Sequence, residues 1–218
     1  MVVNTLGEKN SLFNQFIAEI RDINIQKDPL RFRRNLERVG EIFAYEISKE
    51  LDFTESSIQT PLGESLTSLP SCEVVVASIL RAGLPLHTGL LNYFDRSENA
   101  FISAYRKYSD DGEFKINFEY ISSPSIDGKV VILADPMLAT GSSMELAYKA
   151  MLTKGTPKHV HIVAVIGSEE GVEFIKSKLS NENITIWMGA VDKDLNSKSY
   201  IVPGCGDAGD IAFGAKLG

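Results

Sequence analysis

Cysteine is nearly absent from these 218 residues: Cys72 and Cys205 stand far apart, without CxxC spacing. That argues against a disulfide and predicts two free thiols in a cytoplasmic chain. No apolar run approaches the roughly 18 residues needed to span a bilayer. The opening MVVNTLGEKNSLFNQF lacks the basic start and continuous apolar stretch of a signal peptide. Positive charge is in short supply as well, with 22 Lys and Arg against 29 Asp and Glu and a net charge of -7. An acidic balance argues against a nucleic-acid-binding surface, yet a few placed arginines can still make a local anion site. GxxxxGK[ST] and GxGxxG are both missing, which excludes a P-loop and removes the main signature of an NAD site. Only three histidines occur, and none completes a Ser-His-Asp or Cys-His set. His159 and His161 alternate on one strand face with no third metal-ligand pattern, so a packed or surface role is the expectation for them. His87, just after LP, is expected on a helix face, with a supporting role near a ligand as the alternative.

What is present reads as one α/β domain over 1–218. A hydrophobic fraction of 44% with 23% charged residues suits a globular chain with a real core. No repeat, low-complexity segment or interdomain linker stands out. PLRFRRNLERVGEIFAYEISKEL, 29–51, spaces Leu30, Leu36, Val39, Phe43 and Ile47 helically, and Asp28 is the expected N-cap before Pro29; 1–60 is read as a helical N-terminal segment. EVVVASIL, 73–80, is a buried-strand composition, followed by a short helix over 86–94. FISAYRKY (101–108) and EFKINFEYI (113–121) alternate around SDDGE and predict an exposed hairpin or flap with Asp110 and Asp111 in its turn. Strand 129–134 with helix 142–154, strand 159–166 with helix 168–178, and strand 184–190 follow. Apolar strands alternating with helices imply a mostly parallel central sheet flanked by helices.

In such sheets ligands bind beyond the carboxyl ends of the strands. Three glycine-bearing segments belong there: RAG at 81–83, DPMLATGSS at 135–143 and IVPGCGDAGD at 201–210. Small residues at the start of a helix let backbone N–H groups approach an anion, and Thr140, Ser142 and Ser143 add hydroxyls. The alternative is that Thr140 only caps the helix. Asp135, at the strand's end, either caps the loop or accepts hydrogen bonds from sugar hydroxyls. Arg81 and Arg106 are candidates for a phosphate or diphosphate, although a solvated surface arginine is the competing reading for Arg106.

VVILADPMLATGSS, ASILRAGLP at 77–85 and YIVPGCGDAGDIAFG at 200–214 together resemble the uracil phosphoribosyltransferase family, of the type I phosphoribosyltransferase fold. Pro136, where many relatives carry a second acid, points to the uracil branch. TPLG at 60–63, YR at 105–106, an N-terminal IRD and FR at 32–33 add weaker support. The resemblance implies transfer of the phosphoribosyl group of 5-phospho-α-D-ribose 1-diphosphate (PRPP) to uracil, giving UMP and diphosphate, with Mg²⁺. It also implies a β-hairpin flap and a C-terminal base-binding hood over 191–218. Carried over by position, Asp135, Pro136, Met137, Leu138, Ala139, Thr140, Gly141, Ser142 and Ser143 form the PRPP loop. Arg81 and Arg106 flank the diphosphate. Tyr200, Ile201, Gly206, Asp207 and Ala208 form the uracil segment, with Asp207 also near PRPP and its metal. A homodimer or higher homo-oligomer and a purine-nucleotide effector are further implications. Cys205, Ile211, Ser142 and the basic YRKY depart from the usual pattern without removing a group the reaction requires. The competing readings are a transferase for another base, an RNA-binding regulator of the same fold, and a catalytically silent nucleotide or PRPP-binding module.

Overall fold

The computed structural model describes residues 1–108, 114–180 and 183–216, and side chains other than those of 104–119. The turn containing Asp110 and Asp111, and the side chains of Tyr105 and Arg106, therefore lie outside the described residues. In chain order the elements are β1 (Val2–Thr5), α1 (Leu12–Arg21), α2 (Pro29–Ser48), β2 (Phe53–Thr60), β3 (Gly63–Pro70), β4 (Val74–Ile79), α3 (Leu84–Leu91), β5 (Glu98–Tyr108), β6 (Phe114–Ser122), β7 (Val130–Ala134), β8 (Met137–Leu138), α4 (Ser142–Leu152), β9 (His159–Ser168), α5 (Glu169–Lys178), β10 (Ile184–Asp192), β11 (Asp194–Leu195), β12 (Ile201–Val202) and α6 (Ala208–Phe213).

The main sheet runs β1-β10-β9-β7-β4-β5-β6, with the two-residue β8 also on β9. Every pairing in it is parallel except β5 with β6, which form the expected hairpin. Strand periodicity splits the core in two. Val76, Ile132, Ala134, Val163, Val165 and Trp187 face α1, α2, α3 and α6. Val75, Ala77, Val131, Leu133, Ile162 and Ile186 face α4 and α5. Because both faces are covered, the strands read as unbroken apolar runs rather than alternating ones. α2 begins as its sequence predicts: Asp28 accepts hydrogen bonds from the N–H groups of Leu30 and Arg31, and Pro29 opens the helix.

Several features differ from the sequence expectations. The first 60 residues are not helical throughout. β1 joins the sheet parallel to β10, and α1, with a Ser11–Asn14 capping box, buries Phe13, Ile17 and Ile20. β2 and β3 form a separate antiparallel ribbon that stands off the body, exposing Phe53, Ile58, Leu62, Leu66 and Leu69. The segment after Asp192 is also more regular than its glycine content suggests, forming the β11–β12 pair and α6. Among the described residues no helix is long and apolar enough to cross a membrane.

Candidate active site

β4 and β7 are neighbours in the sheet and end on the same side, so their trailing loops leave side by side. After β4 the Leu80–Arg81 peptide is cis, and the chain turns immediately into α3. Gly83 is required by space: a Cβ there would fall 2.5 Å from Ser78 Oγ, 2.6 Å from the Ile79 carbonyl oxygen and 3.1 Å from that of Ala134. The RAG turn is thereby pressed against the ends of both strands. Arg81, half-exposed, donates through Nη2 to Asp210 Oδ1 at 3.1 Å and to the Gly214 carbonyl at 3.4 Å. It reaches across to the far C-terminal segment.

The loop after β7 divides into an inner and an outer part. Pro136 and Leu138 are buried. The Pro136 carbonyl accepts from the N–H groups of Val165 and Ile166, both at 3.0 Å, and β8 pairs with β9. These contacts hold the loop to the sheet. Ala139 is fixed through its carbonyl, which accepts from Ser168 Oγ at 2.5 Å. The outward part is Thr140 to Ser143, where Thr140 Oγ1 donates to Ser142 Oγ at 3.2 Å. The N-cap of α4 is Gly141, not Thr140, and among the described residues no side chain caps the helix. Its φ of +80° suits glycine, and a Cβ would lie 2.8 Å from the Phe174 ring. Among the described residues, the first backbone N–H groups of an eleven-residue helix are thus left without a side-chain acceptor, which is the condition for holding an anion. This decides against the simple capping role for Thr140.

Asp135 is half-buried at the mouth of β7. Burial pushes its carboxyl pKa up to about 7, opposed by the hydrogen bond that Oδ1 accepts from the Met137 N–H at 3.3 Å. A carboxylate this poorly solvated gains from hydroxyl donors.

The C-terminal segment closes the third side. Asp207 is the N-cap of α6: its Oδ1 accepts from the Asp210 N–H at 3.0 Å, and its Oδ2 from Lys216 Nζ at 3.2 Å. Burial works to raise its pKa, but these hydrogen bonds hold it below the usual carboxylate value. Gly209 sits over the RAG turn, with its ideal Cβ position 3.9 Å from Arg81 Nη2. Cys205, buried and with its thiol pKa pushed up to about 12 by that burial, lies 3.6 Å from Met137 Sδ. Tyr200 is exposed, whereas Ile201 turns its side chain into the core and leaves its backbone in the β11–β12 pair. Ala208 is buried and Gly206 adopts φ +93°. Arg81, Asp135, Thr140–Ser143 and Asp207–Asp210 thus converge on one end of the sheet. Among the described residues no group of three or more His, Cys, Asp or Glu side chains forms a ready-made metal cage. The residues present fit a hard cation that arrives on a ligand's phosphates and keeps water, with Asp207 as a nearby oxygen acceptor.

Positions not legible as site residues hold this segment in place. Arg21, at the end of α1, and Asp192, at the end of β10, grip Gly204. Arg33 donates to the Ala212 carbonyl at 2.7 Å and lies 6.0 Å from the Phe213 ring centre. The IRD and FR stretches are the only signal for Arg21 and Arg33, and Asp192 has none.

The histidines pack. His87 is buried on α3 with its ring 5.1 Å from that of Phe101, the helix-face position. His161 Nδ1 accepts from Trp187 Nε1 at 3.0 Å. Since the indole can only donate, the imidazole proton sits on Nε2. A metal at Nε2 would move that proton to Nδ1, against the indole N–H, so His161 is no metal ligand. Burial lowers its pKa to about 3. The unfolded chain takes up that proton near pH 6.5, so this contribution to stability is lost as pH falls from about 6.5 towards 3. His161→Gln is expected to flatten that part of the profile relative to the parent chain, read as unfolding followed by fluorescence of Trp187, the single tryptophan. Parallel profiles for the two would show that the histidine is not buried in its neutral form.

The family model described as uracil phosphoribosyltransferase matches residues 8–215. A uracil phosphoribosyltransferase of Porphyromonas gingivalis is 58% identical over 217 residues, covering 100% of both chains. A solved protein of Aquifex aeolicus superposes with a TM-score of 0.85 at 30% identity, covering 99% of this chain and 100% of that one. The orotate phosphoribosyltransferase of Mycobacterium tuberculosis, solved with PRPP, shares the fold at a TM-score of 0.50 and 13% identity, covering 84% of this chain and 92% of its own. With loops, strand order and relatives in agreement, this chain belongs to the uracil phosphoribosyltransferase family.

Proposed function

We propose that the chain transfers the 5-phosphoribosyl group of PRPP to N1 of uracil, giving UMP and diphosphate in pyrimidine salvage. The observation that carries this reading is the uncapped start of α4 beside a desolvated carboxylate at the end of β7. The N–H groups and hydroxyls of Thr140–Ser143 hold the 5-phosphate, and Asp135 accepts from the ribose hydroxyls. Arg81 meets the diphosphate, and Arg106, on β5, meets it from the flap. Backbone groups of 201–208 read the edge of uracil, with Tyr200 at the rim. A divalent cation such as Mg²⁺, carried by the diphosphate and with Asp207 as the nearby carboxylate, would supply positive charge to offset that of the leaving group.

As the bond from C1′ to diphosphate breaks, positive charge grows on the sugar and negative charge on the departing oxygens. Orientation and electrostatics suffice for such a displacement, without a protein nucleophile. Incubating the protein with PRPP, Mg²⁺ and each base separately tests the assignment. UMP from uracil alone supports it. A nucleotide from another base assigns a different transferase, and no product from any base leaves a binding module. Arg106→Ala is expected to lose turnover while unfolding at the same temperature; unchanged kinetics would remove Arg106 from the site.

The exposed β2–β3 ribbon supports a homodimer or higher homo-oligomer, because a lone two-stranded ribbon is marginal in water and its leucines need cover. Sedimentation of the intact chain tests this. Two free cysteines and the acidic balance fit a cytoplasmic enzyme with small-molecule substrates and no nucleic-acid partner.

A further inference from the structure

Gly204 sits at the apex of the turn between β12 and α6, and neither of its backbone polar groups is left to chance. Its N–H donates to Asp192 Oδ2 at 2.9 Å, and its carbonyl accepts from Arg21 Nη1 at 3.0 Å. Arg21 and Asp192 are joined by two hydrogen bonds, Nη1 to Oδ2 at 2.7 Å and Nη2 to Oδ1 at 2.8 Å. The Asp192 side chain is 9% exposed and that of Arg21 22%. The residue so gripped must be glycine: φ is +53°, and a Cβ would lie 2.2 Å from the Ile201 carbonyl oxygen. One residue on, Cys205 rests against Met137 of the loop that leaves β7. The turn is therefore pinned on one side by an ion pair between the end of α1 and the end of β10, and on the other by the segment that follows Asp135.

A largely buried ion pair adds little net stability over well-packed apolar side chains, because desolvation offsets attraction. What it adds is direction. The planar guanidinium fork and the carboxylate fix four hydrogen bonds in one geometry. We propose that Arg21 and Asp192 are positioning residues, which set the backbone of 204–208 at the height and angle where it meets the base. Neither touches substrate. Their effect passes through Gly204 to Gly206, Asp207 and Ala208. This rests on the assignment of 201–208 to uracil. It ties α1, which has no part in the sheet's loops, to recognition of the second substrate.

Steady-state kinetics with each substrate varied, together with PRPP titration in the absence of uracil, separates the possibilities. Misplacement of about 1 Å can cost on the order of 10²-fold in rate. Arg21→Met and Asp192→Asn are each expected to raise KM for uracil about 10-fold or more, while the Kd for PRPP changes by less than about 2-fold. Arg21→Lys, which keeps the charge but loses the fork and is the variant surest to fold, is expected to lie between these and the parent. If the parent makes UMP and Arg21→Lys keeps its KM for uracil while only its melting temperature falls, the pair is structural and the inference fails. If affinity for both substrates drops together, the effect is global and the inference fails as well. A parent chain that makes no UMP from uracil overturns the functional assignment itself.

Discussion

Arg81→Ala is expected to lower kcat/KM for PRPP by about 10²–10³-fold, the loss typical of removing one donor aimed at developing negative charge. Arg81 follows β4, whose neighbour β7 leads into the loop before α4, and its guanidinium is half-exposed, not packed. In the free chain it lies 3.1 Å from Asp210 and 3.4 Å from the Gly214 carbonyl. A diphosphate offers it two oxygens with the spacing of its fork, at higher charge than Asp210. Lysine presents one ammonium on a flexible stem, so Arg81→Lys is expected to keep part of the activity, about 10-fold below the parent. Stability distinguishes this from damage to the fold. The Arg81–Asp210 pair is exposed enough that its loss should change stability by no more than about 1 kcal/mol. Initial rates with PRPP varied, alongside thermal unfolding, settle the matter. Full activity in Arg81→Ala would mean that the diphosphate is held elsewhere.

Much of this site is legible from residue order alone because it lies where local signals are strongest. Residues 130–134 are apolar on both faces, which only a doubly covered strand permits, and the acid and hydroxyl residues that follow break that apolar pattern. The RAG turn is readable because Arg81 breaks the apolar run of β4 in the same way. What local pattern misses is of two kinds. β1 has four residues and the β2–β3 ribbon has no apolar face turned to a core, so neither carries a usable periodicity. The clamp on Gly204 joins residues 171 positions apart, and nothing near Arg21 or Asp192 in the chain announces the partner. Within 135–143 the sequence does not distinguish the buried Pro136 and Leu138 from the more exposed Thr140, Ser142 and Ser143; the pairing of β8 with β9 does. Cys205 illustrates the limit from the other side. It reads in the sequence as a departure from the family pattern, yet it is buried against Met137 and fills an apolar seat.

Asp135→Asn is expected to make the free protein more stable and the enzyme worse, and both effects come from one desolvated carboxylate. Its pKa of about 7 in the folded chain, against 3.8 for the unfolded group, means that the folded state holds the proton longer as pH rises. The unfolded chain therefore binds fewer protons between about pH 4 and 7, and stability falls across that window. Above pH 7 the charged form carries the whole penalty. At 1.36 kcal/mol per pKa unit, and discounting for the group's partial exposure, asparagine should recover about 1–3 kcal/mol at pH 8 and flatten the profile between pH 4 and 7. Thermal unfolding of the two proteins at pH 5 and pH 8 measures this directly.

Substrate acts in the opposite direction. Ribose hydroxyls donating to the carboxylate would favour its charged form and draw the pKa down, so PRPP binding near neutral pH is expected to release a proton from Asp135, with affinity rising with pH up to about 7. Asparagine presents one neutral acceptor in place of a charged pair of oxygens. Hydrogen bonds to a charged group contribute about 1.5–3 kcal/mol each, so PRPP binding or turnover should fall about 10–10²-fold in the variant, and the proton release should vanish. Calorimetric titrations in two buffers of different ionisation enthalpy would show the parent's binding heat changing more with buffer than the variant's, which keeps only the protons of the PRPP phosphates. Equal buffer dependence in both proteins would remove Asp135 from contact with the sugar. A stability gain without loss of binding would leave it a strained carboxylate with no ligand to justify the strain.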